Sequence, residues 1–243
     1  MPSGRLDAFA PRPPTGLRAE VLGALAAHLV GLRPGERSVV ALDGVDGAGK
    51  TVLGRELATL VGAHREVHRA SVDGFHRPAA QRHAHGRTAQ TFYRDQYDHA
   101  SIRHHLVEPF RAGERWVRAV HDVERELAVD APPEPGAGPR ALLLLDGIFL
   151  HRPELAGLWD ASVWVAVPFE VSVPRGNARF GAVGADEADP TSAGNARYVG
   201  GQRLYLAEVD PAARATWVLD NTDLGAPVLR GGAGRAAPPT ASG

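Results

Sequence analysis

The residues with the clearest chemical character lie between Gly44 and Thr51, in the segment GVDGAGKT. This segment satisfies the pattern G-x-x-x-x-G-K-[ST], in which glycines let backbone N–H groups converge on phosphate oxygens. Lys50 would reach the β and γ phosphates of a nucleotide, and Thr51 would offer its hydroxyl to Mg²⁺. The pattern therefore predicts a loop that binds ATP phosphates through Gly44, Asp46, Gly47, Ala48, Gly49, Lys50, Thr51 and Val52.

Two aspartates further along the chain could complete this chemistry. Asp146 closes the apolar run ALLLLD, as a Walker-B carboxylate that holds Mg²⁺ does. Asp73 follows the run EVHRASV, where a carboxylate would face the γ-phosphate, orient an acceptor hydroxyl and accept its proton. We therefore predict Thr51, Asp146 and Asp73 as metal ligands and Asp73 as the catalytic base. From spacing alone, Asp73 fits equally well as an aspartate that only begins a turn.

The hydrophobic pattern predicts the elements that must position these residues. Apolar residues recur at helical spacing from Leu17 to near Gly31 and again from about Lys50 to Val61. Short apolar runs predict buried strands at Ser38–Leu42, Glu66–Val72, within ALLLLD, at Ala161–Val167 and at Ala215–Asp220. Strands that alternate with helices imply an α/β fold with a mostly parallel sheet and helices on both faces. Ligands in such folds bind at the carboxyl ends of the strands.

The remaining segments are less regular. Residues 76–98 are polar and predict a surface excursion with short helices, residues 100–113 predict a helix, and residues 115–129 predict a hairpin or edge strands. We predict a flexible arm over residues 1–14, a single domain over residues 15–229 and a disordered tail over residues 230–243.

The composition restricts the class of protein. The chain has 243 residues, 44% of them hydrophobic and 23% charged, with a net charge of −1 and no cysteine. A near-neutral charge gives no field that would recruit nucleic acid or an anionic membrane. The absence of cysteine excludes disulfides and thiolate zinc sites and fits a cytoplasmic protein. The first residues do not form a signal peptide, and no apolar run approaches the length of a membrane span. The sequence is compatible with either a monomer or a homo-oligomer.

The segments GVDGAGKT, VDGFHRP, YDHASI and LLLDGIFLHRPEL follow one another in an order that resembles uridine kinase-like enzymes. These enzymes belong to the P-loop kinases, which also include phosphoribulokinase and pantothenate kinase. The resemblance covers roughly Ser38 to Asp223. It implies a P-loop kinase fold with a lid, ATP and Mg²⁺ as cofactors, and transfer of the γ-phosphoryl group to a small-molecule hydroxyl, most directly the 5′-hydroxyl of a nucleoside such as uridine.

The resemblance also implies roles for individual residues. Asp73 and Phe75 match an Asp-x-Phe motif whose aspartate is the base, and Asp146-Gly147-Ile148 matches a metal-binding segment that typically begins with Glu. Asp98 matches an aspartate that binds ribose hydroxyls. Uridine kinases read the pyrimidine with a Tyr and a His on a hairpin; His121 stands for the Tyr, and the His has no counterpart. The implied acceptor-binding residues are Phe75, His76, Tyr93, Asp98 and His121.

The lid of these kinases carries arginines that cover the phosphates, and here it would occupy about residues 170–200. Arg175 and Arg179 are four residues apart, which places them on one face of a helix where they could clamp the transferring phosphoryl group. Pro174 and Gly176 weaken a helix at this position. We predict both arginines as catalytic together with Lys50 and Asp73.

Two alternatives compete with a nucleoside kinase. The acceptor could be another small alcohol, such as pantothenate, a sugar or an antibiotic nucleoside. The segment YVGGQ, followed by TWVLDNTD, is also similar to the Gly-Gly-Gln signature and acidic strand of transport ATPases, which would make the chain a motor subunit. Against the motor, Asp220 is followed by Asn221 and not by the usual catalytic glutamate, and a Gly-Gly pair that ends a helix explains the signature equally well.

Overall fold

The computed structural model describes residues 14–181 and 184–231. The arm predicted over residues 1–14 lies outside this range except for Pro14, and so does the predicted tail from residue 232 onwards. The helices of the described residues are α1 Gly16–Val30, α2 Lys50–Gly62, α3 Ala79–Arg82, α4 Ala89–Asp95, α5 His99–Ser101, α6 Glu108–Ala112, α7 Phe169–Asn177, α8 Ala185–Ala188, α9 Ala196–Val209 and α10 Pro211–Arg214.

A six-stranded sheet forms the centre of the molecule. The strands of this sheet are β1 Ser38–Gly44, β2 Val67–Ser71, β5 Leu142–Gly147, β6 Ala161–Ala166, β7 Trp217–Asp220 and β8 Val228–Gly231; a separate hairpin pairs β3 His121–Asp122 with β4 Leu127–Ala128. The order across the sheet is β2-β5-β1-β6-β7-β8, and all neighbouring pairs are parallel except β7 and β8, which are antiparallel. The predicted α/β class with a mostly parallel sheet is therefore confirmed.

The central strands are covered on both faces. Every residue of β1 and β5 is buried, which is why both runs are continuously apolar rather than alternating. The parallel register pairs Asp146 with Leu42 on one side and with Ser71 on the other. The carboxyl ends of β1, β2 and β5 therefore meet at one edge of the sheet, and the residues that follow them share one cleft.

Two elements differ from the sequence predictions. The helix predicted over residues 100–113 contains a π-helical stretch, Ile102–Val107, before Pro109. Proline has no N–H for the carbonyl of His105, and that carbonyl instead accepts the N–H of Val117 at 3.0 Å. Strand β8 was not predicted, and it extends through Arg230 and Gly231 into the segment predicted as a disordered tail because its backbone pairs with β7.

No helix within residues 14–181 and 184–231 combines the length and apolar character that crossing a membrane requires.

Candidate active site

The glycine-rich loop runs from the end of β1 to the first residue of α2. Gly47 and Gly49 have φ angles of +74° and +92°, which disfavour other residues. At Gly47 space is equally limiting, because a Cβ atom would lie 1.9 Å from the backbone oxygen of Ser172 in α7. The loop leads directly into the amino-terminal end of α2. The partial positive charge of this helix end favours bound anions.

Hydrogen bonds from neighbouring elements hold the loop in place. The Asn221 side chain donates to the Ala48 carbonyl at 2.8 Å and accepts from Arg18 at 3.0 Å. Arg18 also forms a buried two-point ion pair with Glu56 of α2, at 3.0 and 2.6 Å. Because a buried, charge-paired network holds its members in one geometry, the loop backbone is tied to α1, α2 and the end of β7.

Asp43, at the end of β1, belongs to a second buried network. Its carboxylate accepts from the Gly44 N–H at 2.8 Å, contacts His151 Nδ1 at 2.6 Å and accepts from the Tyr205 hydroxyl. His151 Nε2 contacts the Ser162 hydroxyl at 2.8 Å. All four side chains are buried, so this network supports the loop and does not face the cleft.

A polar cleft lies beside the loop. Of the residues predicted to bind phosphate or metal or to act in catalysis, Asp46, Gly47, Gly49, Lys50, Thr51, Asp73, Asp146 and Arg179 line it together. Four further residues line the cleft but were not predicted as site residues: Ser71, Tyr97, Gly147 and Ile148. Gly44, Ala48, Val52 and Arg175 do not belong to the lining.

The donor set on the floor of the cleft suits Mg²⁺. Thr51 Oγ1 donates to Asp146 Oδ2 at 2.9 Å, so two oxygen ligands of the kind Mg²⁺ prefers are adjacent. Burial raises the pKa of Asp146, the Thr51 hydrogen bond opposes this, and the Asp73 carboxylate raises the pKa further. No group of three or more His, Cys, Asp or Glu side chains in the described part of the chain could hold a metal ion. The remaining ligands of Mg²⁺ would then be water and phosphate oxygens.

Charges of both signs face this cleft. Loss of hydration raises the pKa of Asp46, the Lys50 ammonium lowers it, and Asp73 raises it again. The Lys50 side chain is buried and its Nζ donates to the Val45 carbonyl at 2.8 Å. Three carboxylates thus face two cations, Lys50 and Arg179, in a site where a divalent cation and a polyphosphate would balance the charge.

Tyr97 is the most informative residue that the sequence prediction missed. Its hydroxyl donates to Asp73 Oδ1 at 3.2 Å, and its ring lies 4.6 Å from that of His76. Burial and the Asp73 carboxylate raise the pKa of Tyr97 well above its usual value, so the phenol keeps its proton and acts as a donor. Backbone pairing between His76 and Tyr97 holds the two segments together. Asp73 is itself exposed to the cleft.

None of the five residues predicted to bind the acceptor belongs to the lining of the cleft. Phe75 and Tyr93 are buried in the core. The Asp98 carboxylate caps helix α5 by accepting from the backbone and side chain of Ser101, at 3.1 and 2.8 Å. His121 contacts Glu126 at 3.2 Å. His76 is buried beside Asp73, and its Nδ1 contacts the Asp73 carbonyl at 2.8 Å.

The two lid arginines have different surroundings. Arg179 lines the cleft, whereas Arg175 donates to the carbonyls of Asn221 and Thr222 at 3.0 and 2.6 Å. Helix α7 continues through Pro174 but ends at Asn177, and residues 178–180 form a 3-10 turn. The regular spacing that would place both arginines on one helical face therefore breaks between them.

The Gly-Gly-Gln segment is explained by packing. Gly200 and Gly201 lie inside α9 and do not end a helix as the sequence suggested. A Cβ atom on Gly200 would lie 2.8 Å from the Ala89 side chain, and one on Gly201 would lie 2.7 Å from the Phe92 ring, so both glycines allow α9 to approach α4. Gln202 accepts from the Asp46 N–H at 2.6 Å and donates to its carboxylate at 3.1 Å.

Comparisons with known proteins support the fold. No protein-family model and no curated protein matches the chain. A solved structure described as a possible uridine kinase from Bacillus stearothermophilus has a TM-score of 0.64 at 20% identity, covering 82% of this chain and 97% of that chain. Another, provisionally assigned as a fructose transport system kinase from Silicibacter sp. TM1040, has a TM-score of 0.61 at 22% identity, covering 76% and 94%. The chain therefore shares its fold with these two structures, in agreement with the fold that the sequence predicts.

Proposed function

We propose that this protein is a kinase that transfers the γ-phosphoryl group of ATP to a hydroxyl group of a small molecule. The observation that carries the proposal is the position of Asp73: an exposed carboxylate in the same cleft as Lys50, Thr51 and Asp146. A phosphate-binding loop alone would fit many nucleotide-binding proteins. A carboxylate beside it that could accept the proton of an alcohol favours phosphoryl transfer.

Each residue has a distinct role in the proposed reaction. The amides of the loop and Lys50 bind the β and γ phosphates, and Arg179 faces the same space. Thr51 and Asp146, with Asp73 nearby, would hold Mg²⁺, which supplies neutralisation of phosphate charge. Asp73 orients the acceptor hydroxyl and takes its proton as the new O–P bond forms and the bond to the β–γ bridging oxygen breaks, with ADP as the leaving group. Catalysis then consists mainly of positioning and charge compensation.

The acceptor we propose first is the 5′-hydroxyl of a nucleoside, because the resemblance to uridine kinases runs from Ser38 to Asp223. A second candidate is a different small alcohol. It is favoured by two observations: both carboxylate oxygens of Asp98 are engaged by Ser101, and His121 is paired with Glu126. A nucleoside would need new conformations of these side chains to use them.

The proposal is tested by measuring ADP release with ATP alone and then with a panel of nucleosides, sugars and pantothenate. We expect slow hydrolysis with ATP alone and acceleration only when the correct acceptor is present. Rapid hydrolysis that no acceptor changes would contradict the kinase proposal and favour a motor subunit. Detection of the phosphorylated acceptor by mass spectrometry separates transfer from stimulated hydrolysis.

We expect Tyr97→Phe to lower kcat about tenfold and to leave the KM for ATP unchanged. The substitution keeps the ring against His76 but removes the hydrogen bond to Asp73. That hydrogen bond contributes about 1 kcal/mol or somewhat more, because the carboxylate that accepts it is charged. Steady-state kinetics with the acceptor identified above measure the effect. As a control, Tyr97→Leu also removes the ring and should therefore reduce thermal stability as well. A kcat equal to that of the parental enzyme in Tyr97→Phe would show that the hydrogen bond has no role in the reaction.

A further inference from the structure

Four basic side chains lie on or next to helices α3, α4 and α9, of which α4 packs closely against α9. We call them the basic cluster: Arg82 ends α3, His83 follows it, Arg87 precedes α4, and Arg197 lies in the first turn of α9. Their charges act on one another, because Arg82 and Arg87 lower the pKa of both His83 and Arg197, in each case after the effect of burial. This region therefore carries the positive charges of three arginines, none of which has a role in the proposed reaction.

Arg197 holds its charge with few partners. Its guanidinium lies 5.6 Å from the Phe92 ring centre and 5.5 Å from that of Tyr198. Its Nε and Nη2 atoms, and Nε2 of His83, are buried without a hydrogen-bond partner within the described residues. Buried donors that lack acceptors are costly. An acceptor of negative charge that entered here would satisfy them.

Within the described residues, the basic cluster forms an ion pair with one acidic side chain. This is Glu126 of the β3–β4 hairpin, which pairs with Arg82. Arg87 is exposed and His83 is half-buried, so this side of the cluster is open to solvent. An incoming anion therefore has access to several donors, only one of which already has a carboxylate partner.

Arg82 connects the basic cluster to the proposed acceptor side of the cleft. Its Nε donates to the carbonyl of Arg77 at 2.7 Å, and Arg77 directly follows His76, which contacts the Asp73 carbonyl. A molecule that places a hydroxyl beside Asp73 could thus extend towards these arginines.

We propose that the basic cluster is a second anion-binding site, which takes a phosphate or carboxylate group distinct from the phosphates of the nucleotide. This phosphate or carboxylate group could come from either of two molecules. It is part of the phosphoryl acceptor itself, or it is a free anion bound beside the acceptor. The first source rests on the proposed function and makes the acceptor an anionic alcohol; the second does not.

The site is tested by calorimetric titration of inorganic sulfate into protein that carries Lys50→Ala, which weakens anion binding at the phosphate loop. We expect Arg197→Gln in this background to weaken sulfate binding at least about tenfold, since each charge-assisted hydrogen bond contributes about 1.5–3 kcal/mol. Arg203→Gln is the matched control, because Arg203 lies on the same helix over an aromatic ring, that of Phe169, but outside the basic cluster. Equal sulfate affinity in both variants, or no sulfate binding in the Lys50→Ala protein, would overturn the proposal.

The source of the anion is distinguished by acceptor kinetics with the otherwise native protein. We compare glycerol with glycerate and ribose with ribose 5-phosphate. If the acceptor carries the group, the anionic member of a pair has the lower KM, and Arg197→Gln raises that KM without changing the value for the neutral member. If the anion is free, Arg197→Gln affects both members alike and added sulfate changes their KM in the parental protein only. A lack of transfer to any acceptor would count against the kinase proposal and leave the sulfate result standing.

Discussion

Asp73→Asn should lower the rate of phosphoryl transfer about 10²–10⁴-fold, the range expected when a general base is removed. Asparagine has nearly the same shape as aspartate, and its carbonyl oxygen can still accept the Tyr97 hydroxyl, which lies 3.2 Å from Asp73 Oδ1. The substitution therefore removes the charge and the proton acceptor while it keeps the local packing. Because Asp73 is exposed, the free energy of unfolding should change little.

The measurement is a single-turnover assay with the phosphorylated product as the readout, accompanied by titration of a fluorescent ATP analogue. Nucleotide affinity should be retained in Asp73→Asn and should fall in Lys50→Ala, because the proposed role of Lys50 is to bind the phosphates and not the acceptor. Transfer at the parental rate in Asp73→Asn would show that the aspartate only forms a turn. Loss of nucleotide affinity in the same variant would show that it acts chiefly through the metal.

Gly47→Ala should abolish nucleotide binding at millimolar concentrations and reduce the free energy of unfolding by about 2 kcal/mol or more. The φ angle of +74° is unfavourable for alanine, and the new Cβ would lie 1.9 Å from the Ser172 backbone oxygen. The loop cannot readily shift to make room, because it is held by Asn221 and by Gln202. The variant must therefore move α7 away from the loop or distort the phosphate-binding conformation.

Differential scanning calorimetry and ATP titration measure these two effects. For a chain of this size, about 2 kcal/mol corresponds to a fall in Tm of about 4–8 °C. Gly23→Ala is the control: Gly23 lies inside α1 with nothing within 4 Å of a Cβ atom, and alanine there should stabilise the helix by about 0.5–1 kcal/mol. A Gly47→Ala protein that binds ATP normally would mean that the contact with α7 opens in solution.

The sequence was sufficient to predict the parts of the molecule that depend on local patterns. The apolar runs predicted strands β1, β2, β5, β6 and β7, and the glycine pattern predicted the loop. A parallel sheet brings its carboxyl strand ends together, so the proximity of Asp73 and Asp146 to the loop was also expected from their positions at strand ends. The role of each side chain in a reaction stays a prediction.

Contacts between residues far apart in the chain could not be predicted in this way. The Tyr97 hydroxyl reaches Asp73 from another segment, and no sequence pattern in either segment indicates this hydrogen bond. The available signal was that Tyr97 directly precedes Asp98, the aspartate predicted to bind a sugar. Asp98 shows the opposite case, because its match to a motif did not reveal that Ser101 three residues later offers both a backbone and a hydroxyl donor. Helix capping is a local competitor for any aspartate at such a position.

The segment between α7 and α9 is held at both ends by the glycine-rich loop. On one side Gly47 lies against Ser172 and Gly176 of α7, and on the other Gln202 of α9 holds Asp46. Asn177 at the end of α7 also donates to the Asn195 side chain, which directly precedes α9, at 3.1 Å. The ends of this chain segment are thus already brought together in the folded protein. The conformational entropy of closing a loop is then lost during folding rather than at each encounter with a nucleotide.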